Sequence, residues 1–237
     1  MINRFLVFIV FVFLAADSSL HAIVAPSENF SEEIAYGNAF IHDLNPAVVI
    51  CGSSRFSKTS LHYKRAQRIA YLFAQRGYSV ITGGGGGIME AANKGALQAN
   101  GQSAGIVIGI KEICNDYILP DHVLRLSNSL LRKELFAVHA EAIIFLPGGF
   151  GSLDELFNII ALVQHNNEKE IPIILVGIEY WQPLLSWIEN SMISFGLLTQ
   201  AELRYIQLTD NPEKVLKIFE DWPLGGGALH RLPLGGP

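Results

Sequence analysis

The stretch Pro147-Gly148-Gly149-Phe150-Gly151-Ser152-Leu153-Asp154-Glu155 constrains the fold of this chain more than any other, because a glycine-rich turn there joins two apolar segments of different period. Residues 142–146 (AIIFL) are a short, continuous apolar run, the pattern of a parallel strand covered on both faces, and residues 156–163 continue as an apolar-rich helix. The chain must turn sharply between them. Gly148, Gly149 and Gly151 permit positive φ and carry no Cβ to hold a ligand away, so N–H groups at the helix start are free to point at a phosphate. Ser152 adds a hydroxyl donor. Ser152 and Glu155 also fit the S-x-x-E capping box, in which the glutamate bonds back to the cap's own N–H. The two readings overlap: a carboxylate one turn into a helix sits in the positive end of the dipole, which favours its ionised form and suits a base or a cation stabiliser.

On either side of this turn, apolar strands alternate with amphipathic helices. Strands are expected at 47–50, 78–81, 104–110, 142–146, 172–176 and 205–208. Ser57 or Thr59 is placed to cap the first helix, which ends at Gly77; a second follows the glycine run 83–87 and stops at Gly101; others cover 129–139, 181–192 and 212–221. Right-handed βαβ units of this kind make an α/β fold, a Rossmann-like doubly wound parallel sheet of six to seven strands in a single domain over 47–222. Residues 111–126 break the rhythm and read as a long excursion, of the kind that is often functional. Residues 23–46 read as a linker with one short helix, and 223–237, which repeat Pro-Leu-Gly-Gly, as a disordered tail.

Arg4, an apolar core at 5–16 and small residues up to Ala22 have the layout of a secretory signal over residues 1–22, cut after Ala22. Twelve helical residues reach about 18 Å, short of the roughly 30 Å hydrocarbon core, so no stable membrane span is expected. A formal charge of −5 gives no footprint for nucleic acid. Cys51 and Cys114 lie far apart and match no C-x-x-C pattern, so neither a metal site nor a disulfide framework is indicated and buried thiols are expected.

The five glycines at 83–87 do not make a dinucleotide fingerprint: the sixth position of G-x-G-x-x-G, counted from any of them, is not glycine, and no Walker-type G-x-x-x-x-G-K-[ST] occurs. A flexible turn is one reading of that run. The preferred one is that three strand ends, at Ser53-Ser54, at Gly83 to Gly87 and at Gly148 to Ser152, open on one edge of the sheet, where open α/β sheets bind ligands. Ser129, Arg132 and Phe136 share a helix face, and an arginine on a partly buried face needs an anion, which a phosphate or Glu155 would supply. The plainer alternative is that Arg132 and Lys133 are a solvated pair.

With both glycine turns and the Arg132-Lys133 pair in place, the sequence resembles the Lonely Guy (LOG) family of cytokinin riboside 5′-monophosphate phosphoribohydrolases, also labelled lysine decarboxylase-like. Its P-G-G-x-G-T-x-x-E signature corresponds to Pro147 to Glu155 with Ser152 in place of threonine. Its G-G-G-x-x-G-x-M segment corresponds to Gly83 to Met89, and Cys51-Gly52-Ser53-Ser54 to its opening strand end. Gly87 to Asn93, and Asn115 and Tyr117 before the Arg-Lys helix, are closest to its bacterial branch; Glu134-Leu135-Phe136 stand where the family motif runs on to a methionine. The resemblance implies that Arg132 and Glu155 are the catalytic pair. It implies that Lys133 and the turn Gly148, Gly149, Phe150, Gly151, Ser152 hold a 5′-phosphate, with Ser53, Gly84, Gly85, Met89 and Glu90 also on the substrate. It further implies a homodimer, no metal, no pyridoxal or other cofactor, and a cytoplasmic enzyme, against which the exported reading of residues 1–22 stands. The reaction would be hydrolysis of the N-ribosidic bond of a purine nucleoside 5′-monophosphate, cytokinin-type or AMP-like. A non-catalytic carrier of a nucleotide or phosphorylated cofactor would use the same sheet and turns, whereas an oxidoreductase lacks its fingerprint and ribose-binding acid.

Overall fold

A computed structural model of the chain describes residues 23–24, 30–109, 113–165 and 170–223. The first half runs β1 (Ile23–Val24), α1 (Phe30–His42), β2 (Ala47–Cys51), α2 (Leu61–Ala74), β3 (Ser79–Thr82), α3 (Ile88–Gln98), β4 (Ser103–Ile108) and β5 (Val123–Leu126). The second half runs α4 (Ser129–His139), β6 (Ala140–Phe145), α5 (Phe150–His165), β7 (Ile173–Val176), α6 (Ile178–Trp187), β8 (Ile206–Thr209) and α7 (Pro212–Glu220). All strands join one parallel sheet in the order β1-β5-β4-β3-β2-β6-β7-β8. The chain therefore winds outward from β2 to β5, crosses back to lay β6 beside β2, and winds outward again.

The strands alternate their side chains between two cores. Val48, Ile50, Val80, Ala142 and Ile144 pack against α2, α3 and α7. Ala47, Val49, Cys51, Ile143 and Phe145 pack on the opposite side with residues of α1, α4, α5 and α6. With both faces covered, β2, β3 and β7 are buried at every position; β2 and β7 are unbroken apolar runs, and the hydroxyls at the two ends of β3 are hydrogen-bonded, Ser79 to Gln102 and Thr82 to Asn93.

Several boundaries differ from those the sequence predicts. The sheet has eight strands because β1 adds a two-residue edge and β5 forms inside the expected excursion, where Arg125 interrupts the apolar pattern. Residues 23–46 hold β1 and the 13-residue α1, whose Phe40 and Ile41 join the core and whose buried Glu33 accepts from Ser127 N and Oγ at 3.1 and 2.8 Å. Ser60 caps α2, accepting from Tyr63 N at 3.1 Å, while the Ser57 and Thr59 hydroxyls bond each other. Beyond α6 the helix continues as a π-helical segment, Ile188–Ile193. The expected signal segment 1–22, and the expected tail apart from Pro223, lie outside the described residues; among those described, no helix is long and apolar enough to cross a membrane.

Helix α3, which follows the glycine run, packs against α2 at Gly95, where a Cβ would collide with the Gln67 carbonyl oxygen. Gly95→Ala is expected to cost about 1–3 kcal/mol by forcing the two helices apart. Urea denaturation checks this, and an unchanged midpoint would show that the helices already stand clear of each other.

Candidate active site

The sheet reverses its winding between β2 and β6, and the crevice outside the carboxyl ends of such strands is where open α/β sheets take ligands. The loops leaving β3, β2 and β6, three adjacent strands, meet there. Ser53 N donates to Pro147 O at 3.1 Å, Ile88 N to Ser53 O at 3.0 Å and Leu146 N to Cys51 O at 2.9 Å. Together they border a cleft of about 930 Å³.

The β6–α5 turn forms its floor. None of Gly148, Gly149 or Gly151 has positive φ, so conformational freedom is not why they are glycine. Space is the reason: a Cβ on Gly148 would collide with Ser152 Oγ, whereas the Cβ positions of Gly149 and Gly151 have no protein atom within 4 Å. The backbone of this turn is bare toward the cleft. Helix α5 begins at Phe150, inside the turn, with Leu153 N donating to Gly149 O at 3.1 Å. Ser152 therefore lies within the helix instead of capping it, and the capping-box reading fails. The first N–H groups of α5 have no carbonyl four residues back, which leaves them as anion donors.

The glycine run after β3 is held, not flexible. Gly84 N donates to Thr82 Oγ1 at 2.9 Å, and Thr82 Oγ1 donates to Asn93 Oδ1 at 2.8 Å. Asn115 Nδ2 reaches Gly84 O, Gly85 O and Asn93 Oδ1 at 3.1, 2.9 and 3.0 Å. Asn93 Nδ2 reaches Ser103 Oγ at 2.9 Å, and Ser103 Oγ donates to Tyr117 O at 2.7 Å. The segment with Asn115 and Tyr117 is thereby tied to the run. Gly84 (φ 80°) and Gly87 (φ 61°) take conformations that L side chains rarely adopt.

Arg132 of α4 and Glu155 of α5 meet at the cleft wall, Nη2 to Oε1 at 2.6 Å, with only 17% and 14% of their side chains exposed. Burial pushes the Glu155 carboxyl above the usual glutamate range, against the pull of Arg132, of the Cys51 thiol and of Lys133. The helix dipole expected to keep it ionised is outweighed by lost hydration. Arg132 Nε is buried with no partner. Lys133 turns away from the cleft: its ammonium, 5% exposed, meets Asp154 Oδ2 at 2.6 Å.

Of the residues expected at the site, Ser53, Met89, Arg132, Gly148, Gly149, Phe150, Gly151, Ser152 and Glu155 line the cleft. Gly84, Gly85, Glu90 and Lys133 do not. The first two are spent on the Asn115 network, and Glu90 pairs with Lys58 Nζ at 2.7 Å and accepts from Tyr63 OH at 3.4 Å. Sequence reasoning missed Phe56, His62 and Tyr180. Phe56 and His62 follow β2 and lie with ring centroids 4.9 Å apart; burial holds the His62 imidazole below its usual pKa. Tyr180 follows β7, the next strand beyond β6, and donates to Gly148 O at 2.6 Å. The sheet order was the signal that could have found it.

Comparison with known proteins identifies the family of the chain. A family profile described as "possible lysine decarboxylase" matches residues 89–219. The cytokinin riboside 5′-monophosphate phosphoribohydrolase LOG2 of Arabidopsis thaliana is 27% identical over 179 residues, 73% of this chain and 82% of that protein. The enzyme of the same description named LOG, from Oryza sativa subsp. japonica, is 27% identical over 180 residues, covering 74% and 73%. Among solved structures, the molybdenum cofactor binding protein of Rippkaea orientalis superposes with a TM-score of 0.55 at 20% identity, over 73% of this chain and 93% of that one. The molybdenum cofactor carrier protein of Chlamydomonas reinhardtii gives 0.55 at 16% identity, over 75% and 99%; at these identities the likeness is one of fold. The profile spans more than half of the chain, and the chain belongs to the Lonely Guy (LOG) family, whose profile carries the lysine decarboxylase description.

Proposed function

We propose that the protein hydrolyses the N-ribosidic bond of a purine nucleoside 5′-monophosphate, cytokinin-type or AMP-like, to the free base and ribose 5-phosphate. The buried Arg132–Glu155 pair beside a bare glycine turn carries this reading. The turn takes the 5′-phosphate on the first N–H groups of α5 and the Ser152 hydroxyl, which leaves the sugar toward Glu155. As the C1′–N bond breaks, the ribose becomes oxocarbenium-like and Glu155 stabilises it. Glu155 takes a proton from water as the water oxygen bonds to C1′; the departing base keeps the bond's electron pair and takes a proton from solvent, to which Glu155 then returns its own. Arg132 fixes the carboxylate. Lys133, held by Asp154, adds positive potential beside it without touching the substrate. Asp154 and Glu155 point about 100° apart on their helix, so paired-carboxylate glycosidase geometry does not apply.

We also propose a homodimer, with a second copy covering the α4–α5 face that exposes Leu130, Val138 and Phe157. Sedimentation equilibrium is expected to give a dimer that Val138→Glu dissociates; a monomeric wild-type protein at micromolar concentration would overturn it.

The phosphate turn is tested by calorimetry. Charge-assisted hydrogen bonds contribute about 1.5–3 kcal/mol each, so a nucleoside is expected to bind at least about tenfold more weakly than its 5′-monophosphate. Equal affinities would remove the anion site.

Glu155→Gln separates enzyme from carrier. Loss of the base is expected to lower turnover by about a hundredfold, with affinity for the monophosphate nearly unchanged. A raised pKa means that Glu155 contributes most to stability below the ordinary glutamate range, and that this contribution is lost as pH rises through the raised value. At neutral pH the uncharged Glu155→Gln variant is therefore expected to melt no lower than wild type. The kcat/KM of wild type is expected to fall as pH drops through the same value. A carrier would release every monophosphate unchanged, and a Glu155→Gln protein that lost stability but kept its rate would leave Glu155 a structural residue.

A further inference from the structure

The cleft is longer than a nucleoside monophosphate needs. It runs across the ends of four adjacent strands, β3, β2, β6 and β7, three strand spacings or about 14 Å. At the β3 end, Met89 Sδ and Arg132 Nη1 stand 3.0 and 3.3 Å from where a Cβ on Gly83 would be, and Glu155 lies against Arg132. At the β7 end, Pro147 Cγ and His62 Cε1 stand 3.1 and 3.5 Å from the Cβ position of Gly177. The turn after β6 lies between the two ends. A nucleotide with its phosphate on that turn and its C1′ at Glu155 extends toward β3, and none of it reaches the β7 end.

That end is lined for a planar, anionic group. The Phe56 and His62 rings lie 4.9 Å apart at 47°, Tyr180 donates to Gly148 O at 2.6 Å, and all three border the cleft. Arg55 borders it too, exposed and with no ion pair among the described residues, whereas Arg132 is already paired. His62 Nδ1 is buried with no hydrogen-bond partner, so packing alone does not explain a histidine there. We propose that the protein takes dinucleotides joined through a 5′,5′-diphosphate, with the second phosphate beside Arg55 and the second base laid against the Phe56 and His62 rings. Burial, and then Arg65, hold the imidazole neutral against Asp210 and Glu179, so it meets that base as an uncharged ring. The direction of the ligand rests on the hydrolysis proposed above. Water adds to C1′ of the unit beside Glu155, the base of that unit leaves with the electron pair and takes a proton, and the diphosphate and second nucleoside stay intact.

Calorimetry in the Glu155→Gln protein, where turnover is slowed, compares AMP with diadenosine 5′,5′-diphosphate. The dinucleotide is expected to bind about tenfold more tightly, the size of one base–aromatic stack. Adding Phe56→Ala is expected to remove this advantage and leave the affinity for AMP nearly unchanged. Phe56 also packs against the core beneath α2, so Phe56→Leu, which keeps apolar volume without an aromatic face, serves if the alanine protein does not fold. Arg55→Gln is expected to take back about threefold, as for an exposed charge pair. A dinucleotide that binds no more tightly than AMP overturns the proposal, as does an advantage that survives Phe56→Leu. A Phe56 variant that weakens both ligands alike also overturns it, since the β7 end would then hold the base of the monophosphate. AMP that binds the wild-type protein and is never hydrolysed overturns the hydrolase reading alone, and the comparison of the two ligands stands.

Discussion

A carboxylate and a guanidinium that share one water-poor corner dictate what must stand around them. Drawing such a pair apart would leave two half-buried charges without hydrogen-bond partners, so the two helices that carry them cannot drift independently. Arg132 comes from α4 and Glu155 from α5, and both helices lie on the side of the sheet to which Val49, Cys51 and Phe145 point. Room for the guanidinium comes from the absence of a side chain on Gly83, whose Cβ would stand 3.3 Å from Arg132 Nη1. The pair is thus set by strand parity, by helix order and by one glycine at the neighbouring strand end.

A second, uncharged system keeps that glycine where it is. The amides of Asn93 and Asn115, with the hydroxyls of Thr82 and Ser103, satisfy backbone groups that the glycine run would otherwise bury unpaired. Buried networks of this kind rigidify when every member is satisfied. The glycine run is consequently held in place behind Gly83, which lines the cleft, and the chain from Asn115 to Tyr117 braces it.

Much of this was legible in the sequence because a parallel sheet writes itself plainly: 47–50, 142–146 and 173–176 are unbroken apolar runs, 78–81 is broken only by Ser79, and the turn after each carries glycine. That those turns share one edge follows from the βαβ rhythm alone. The rest depended on partners distant in sequence. Val123–Leu126 is a strand only because β4 pairs with it, across a segment without period. Lys133 reads as a ligand contact until Asp154, one turn into another helix, is seen beside it. Glu155 reads as readily ionised from its place near a helix start, and only the surrounding apolar packing reverses that.

The pairing of β2 with β6 has a kinetic side. These two strands border the cleft from either side of the point where the sheet changes direction, and everything from α2 to α4 lies between them in the chain. Closing so long a loop costs entropy before any contact returns it, and folds dominated by distant pairings form slowly. The β2–β5 half can grow by successive neighbouring units as it emerges from synthesis, but it holds only one wall of the crevice. The cleft is complete only once β6 has docked and brought its glycine turn with it.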